Sequence, residues 1–200
     1  MKRTLLACVC AISLLLPASM LFAADEKPLP KPDVLSEETV STSAKLSTYD
    51  TIVIRDFKTD GAEYSSIDEE EKPKVDAMKP ILVKNVTDSL EMQLKLKKLF
   101  KNIVKNAEPT GKAVIVEGEF TEFNAGNRAV RFWVGFGAGK TYLKVKGRLI
   151  DAQTGKELAT FVDRETGYKG SMTLESFDSL FPAQAMSIGE NLSDFIEKLY

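Results

Sequence analysis

Hydrophobic and polar positions alternate along this chain with two different periods, and each change of period marks an element. Between about 75 and 100 the apolar residues Leu82, Val86, Leu90 and Leu94 recur at every fourth position. Leu96, Leu99 and Phe100 extend the same surface, which predicts an amphipathic helix with Pro80 near its start. A second amphipathic helix is predicted over about 183–199, with Met186, Leu192, Phe195, Ile196 and Leu199 on one side. Elsewhere the period is two. YDTIVIRDF carries a β-branched run from Thr51 to Ile54, as a largely buried first strand requires. KAVIVEGEFTEF alternates through Val114, Val116, Gly118 and Phe120, and TYLKVKGRLIDA through Leu143, Val145, Gly147 and Leu149. Asp151-Ala-Gln-Thr-Gly155 has turn composition, and KELATFVDRE returns as the hairpin partner. A short segment at Asn102–Val104 adds a candidate second strand. Together these predict an α+β fold: a mostly antiparallel sheet of 4–5 strands with two amphipathic helices on one face.

The N-terminal end of the chain fits neither period. Lys2 and Arg3 precede the apolar stretch LLACVCAISLLLPASMLFAA, which stops at Asp25-Glu26-Lys27. A basic start, an apolar centre and small residues at the exit are the order of a signal peptide over 1–24, with cleavage after Ala23 or Ala24. Kept in place, a stretch of roughly 20 apolar residues would be long enough to span a bilayer. Leu5-Leu6-Ala7-Cys8 has the lettering of a lipidation box, but Cys8 lies too near the N-terminus to leave an apolar region ahead of it. Residues 25–48 carry three prolines and many Ser, Thr and charged residues, and read as a flexible tether. The single α+β domain is then expected over 49–200.

Composition narrows the chemistry. The chain of 200 residues has no histidine, and its 2 cysteines, Cys8 and Cys10, would leave with the signal peptide. A Ser-His-Asp or Cys-His set cannot be assembled, and zinc finds no ligand set. Ser-x-x-Lys does not occur. Loss of Lys2 and Arg3 would take the formal charge from −2 to about −4, which does not suggest a nucleic-acid partner. The acidic run Asp68–Glu71 reads as a solvated helix start, because contiguous carboxylates do not make a spaced calcium loop. Lys95, Lys97, Lys98 and Lys101 suit the carbonyl end of the first helix. Paired carboxylates of a hydrolase meet only in three dimensions, so that reading stays open as an alternative.

The motif that most resembles a ligand site is GFGAGKT at 135–141. A phosphate-binding loop needs four residues between its glycines and a helix after its Lys-Thr, so that backbone amides wrap the phosphate. Here Gly135 and Gly139 enclose three residues, and the segment after Lys140 alternates like a strand. Nucleotide binding is not expected, nor any cofactor or metal. Instead Arg128, Arg131, Phe132, Trp133, Phe136 and Lys140 form an apolar ribbon with flanking cations, suited to a protein partner or a membrane surface. Gly126, Gly135, Gly137 and Gly139 surround its apolar centre, and Gly135, Gly137 and Gly139, on one face of an extended chain, would let another backbone or a helix approach closely or permit a sharp bend. A pocket for a small molecule or glycan, with Lys140 or Arg128 meeting an anion, is the alternative.

GNRAVRFWVGFGAGK, then a strand, then DAQTGKEL, resembles the bacterial exported family named domain of unknown function 4410, over roughly residues 50–165. The resemblance implies a protein of the periplasm or cell envelope. It brings no catalytic residues.

Overall fold

The computed structural model describes residues 27–127, 139–166 and 176–200. Seven strands form one sheet: β1 (Glu37–Val40), β2 (Thr51–Ile54), β3 (Glu63–Ser65), β4 (Asn102–Lys105), β5 (Ala113–Asn124), β6 (Tyr142–Asp151) and β7 (Glu157–Glu165). Their order is β1-β7-β6-β5-β2-β4, with β3 beside β5. Two helices are described, α1 (Lys72–Lys97) and α2 (Phe177–Leu199).

The α+β class and the two helices agree with the sequence reading, but the sheet does not. It is larger than the expected 4–5 strands, and it is mixed. β5–β6, β6–β7 and β1–β7 are antiparallel, whereas β2 runs parallel to both β4 and β5, and β3 parallel to β5. The physical reason is α1. Parallel neighbours need a long crossover, and a 26-residue helix between β2 and β4 provides one. β1 falls inside the segment expected to be a tether, which also places Leu46 wholly out of solvent in a single 3-10 turn. β3 lies in the polar connection 58–74, which showed no period of its own.

The longer antiparallel elements follow their side-chain pattern. Leu143, Val145 and Leu149 of β6 and Val114, Val116 and Phe120 of β5 are all buried on the helix side. From the helices come Leu82, Val86, Leu90 and Leu94 of α1 and Ile188, Leu192, Phe195 and Ile196 of α2, closing one core with them. Two details differ from the pattern. Leu96 and Met186, expected on apolar faces, are exposed. α1 also starts earlier than predicted, so Pro80 sits inside it.

Opposite each other in that core stand two glycines. Gly118 of β5 pairs with Gly147 of β6, and Gly147 pairs with Phe161 of β7. The rings of Phe57 and Phe161 lie over the pair, with centroids 6.4 Å apart. A β-carbon on Gly118 would come 2.5 Å from the Phe57 ring, and one on Gly147 would come 2.4 Å from the Phe161 ring. The bare backbone here is the seat of two aromatic side chains.

Candidate functional site

Of the candidate contact residues, Arg128, Arg131, Phe132, Trp133 and Phe136 lie outside the described residues, as does the expected signal peptide. Lys140 is described and is exposed. It stands at the stem where β5 ends and β6 begins. There the Asn127 N–H donates to the Gly139 carbonyl at 2.9 Å, and Gly126 and Gly139 both have positive φ, +65° and +67°. A β-carbon on Gly126 would lie 2.3 Å from the Gly139 oxygen. Close backbone approach is thus what these two glycines permit, as expected for Gly139. Thr141 donates its hydroxyl to the Ala125 carbonyl at 2.8 Å, and Gln184 of α2 donates its amide to the Thr141 carbonyl at 3.0 Å. The stem is therefore tied to the second helix. After it comes β6, a strand and not the helix that a phosphate-binding loop requires.

The face of the sheet turned away from the helices is charged. Two rows of side chains cross it by register. Glu117, Arg148, Thr160 and Thr39 form one, and Glu119, Lys146, Val162 and Glu37 the other. Arg148 donates to Glu117 from Nε at 3.0 Å and from Nη2 at 2.8 Å, and Lys146 meets Glu119 at 2.9 Å. A cavity of about 860 Å³ lies over these rows, with Arg55, Asp56 and Lys58 at one side and residues 36–39 at the other. Periodicity located the alternating Lys144, Lys146 and Arg148 but carried no signal for Arg55 or Lys58. These two join the groove because the chain runs on beside β5, still parallel to it, after β2 ends. The Lys58 backbone forms an isolated parallel β-bridge with Glu119 there, and its carbonyl accepts from the Phe120 N–H at 2.8 Å.

The remaining polar clusters are structural. Glu71 accepts from the Asp68 N–H at 3.2 Å and Lys72 meets Glu69 at 2.5 Å, so the acidic run builds the start of α1. Among the described residues no group of three or more His, Cys, Asp or Glu could hold a metal. Lys95 meets Glu91, Lys101 meets Asp50, and Lys97 bridges to Asp194 and Glu197 of α2.

Asp163, which sequence reading did not single out, is a charged residue on the inward face of β7, in line with Ala159 and Phe161. That break in the apolar pattern was its only signal. It is buried, and its Oδ2 accepts from the Asn191 amide of α2 at 3.0 Å. Glu165, two residues on, accepts from the same nitrogen at 3.2 Å. Burial pushes the Asp163 carboxyl up, against the opposing pull of the Asn191 amide and the Arg164 N–H.

Solved structures similar to this chain include the following two. The PelC dodecamer from Paraburkholderia phytofirmans shares 12% identity over 79% of this chain and 97% of that one, with a TM-score of 0.42. Protein XCC0632 from Xanthomonas campestris, of the family DUF330, shares 7% identity over 78% and 88%, with a TM-score of 0.45. No curated protein sequence matches the chain. A family model does: the domain of unknown function DUF4410 matches residues 52–171, well over half of the chain, which therefore belongs to that family.

Proposed function

We propose that this chain is an exported envelope protein that works by binding a partner protein and not by catalysis. The observation that carries this reading is the groove of about 860 Å³ on the sheet face away from the helices, with cations at Arg55 and Lys58 at one side and Glu37 at the other. Sheet faces are covered when they only serve a core. This one is charged and concave, and its central ion pairs are fixed by strand register, so its charges are already in place before a partner arrives. Export is supported by the basic and apolar order of residues 1–24. Partner binding over catalysis is supported by the lack of histidine in the whole chain. It is also supported by the groove's central carboxylates, which are each engaged by a cation instead of facing one another.

The test is recovery of the partner from native envelope. The double variant Arg55→Glu, Lys58→Glu is expected to keep the wild-type unfolding temperature while losing most of the co-purifying protein. Undiminished recovery would end the assignment of the groove. The glycine-rich ribbon supplies the second arm. Trp133→Ala with Phe136→Ala should remain folded and monomeric yet lose partner or membrane recovery. If that variant unfolds, the ribbon is core and the groove is the docking surface by itself.

A small-molecule or glycan ligand is the second reading, favoured by the cavity's volume, which falls in the usual range for such ligands. A thermal shift with a compound from a metabolite and glycan panel, abolished by Lys58→Glu, would decide for it.

A further inference from the structure

Asp163, Asn191 and Glu165 lie outside the groove, yet they place two carboxylates on one amide nitrogen between β7 and α2. Among the described residues, β7, β6, the segment before β1 and α2 face Asp163. β7 supplies Glu165, two residues away on the same face, and the Arg164 N–H, which donates to Asp163 Oδ1 at 3.0 Å. β6 places the uncharged Val145 opposite. The segment before β1 supplies the hydroxyl of Ser36, which also meets the Arg164 N–H at 3.1 Å. α2 supplies the neutral Asn191 at 3.0 Å. No cation of these elements is bonded to Asp163 among the described residues, and its side chain is 4% exposed. Among the described residues, an ionised carboxylate so placed is held by neutral dipoles alone.

We propose that this triad is an acid-tightened latch: proton uptake by Asp163 strengthens the hold of α2 on β7. The proton comes from solvent and stays on the Asp163 carboxyl. The neutral acid no longer carries a buried charge, while its carbonyl oxygen still accepts from Asn191. The sign is fixed by the direction in which burial moves the group. An acid held above its ordinary value binds its proton more tightly folded than unfolded. The contribution therefore rises as pH falls from the folded value towards about 3.9, the ordinary aspartate value, and is lost above that window. The consequence reaches the stem between β5 and β6, because α2 also holds it through Gln184 and the Thr141 carbonyl. Acidification would firm that stem.

Two measurements on the full chain test this. In a carbon-13 carboxyl titration, Asp163 is expected to titrate above the ordinary aspartate value; a midpoint at or below it overturns the latch. In thermal unfolding, Asp163→Asn keeps an acceptor for Asn191 and the Arg164 N–H but cannot ionise. Its Tm is expected to exceed the wild type by about 3 °C at pH 8, closing to within about 1 °C by pH 4. A gap that does not change with pH overturns it. Asn191→Ala removes the amide and is expected to move the Asp163 midpoint further up. An unmoved midpoint counts against the triad.

Discussion

Replacing Gly147 with alanine should cost about 2–4 kcal/mol of folding stability, read as a lowered urea midpoint with an unchanged slope. The single added carbon would lie 2.4 Å from Phe161 Cζ and 2.4 Å from the Glu117 carbonyl oxygen. The ring could turn aside, but the carbonyl belongs to the ladder between β5 and β6 and cannot move without breaking pairs. Phe161 in turn packs against Phe195 of α2 at 6.1 Å, so a displaced ring would push on the helix layer. The double variant Gly147→Ala, Phe161→Leu should recover part of the loss, because the shorter side chain vacates the space over the glycine. A near-neutral Gly147→Ala would mean that the two rings are not seated as described.

The second large effect is expected at Asp151, the first residue of the DAQTG turn. Its carboxylate accepts from the Tyr49 hydroxyl at 2.7 Å and from the N–H groups of Gln153 and Thr154 at 2.8 and 2.9 Å. One side chain therefore shapes the β6–β7 turn and ties it to the entry of β2. Asp151→Ala should lose about 2–3 kcal/mol, since three donors lose their acceptor together. Burial by itself would raise this carboxyl, but the Tyr49 hydroxyl and the two N–H groups outweigh it and hold it below the ordinary aspartate value. Its contribution is therefore present above the ordinary value and lost as pH falls through the lowered one, opposite in sign to Asp163. A pH series of Asp151→Ala against wild type should show the difference shrinking in acid. A difference that persists unchanged would mean that the turn is held by its backbone alone.

Much of this architecture was legible in the residues, for identifiable reasons. The β6–β7 hairpin shows itself twice, in side-chain alternation and in the chemistry of its turn. Both helices show a period near 3.6. What stayed hidden is what no local pattern encodes. The four buried residues of β2 look the same whether their neighbours run parallel or antiparallel, and only α1 as a crossover decides it. β1 has four residues at a sheet edge and β3 has three, too few to show a period. The groove was half visible: β6 announces its cations, while Arg55 and Lys58 come beside them only because the chain runs on along β5 after β2. Asp163 could have been found as the polar interruption of an inward row.

The two helices touch at Asn85 and Pro182, at Ser89 and Met186, and at Lys97 and Asp194, each pair 97 residues apart. A constant separation means that they run in the same direction, so their aligned peptide dipoles bring two partial negative poles to one end of the molecule. Side by side such poles repel, and this is the end where Lys95, Lys97 and Lys98 collect, with Lys198 in the last turn of α2. The lysine-rich close of α1, which sequence alone explains as the capping of one helix, is the counter-charge for a pair.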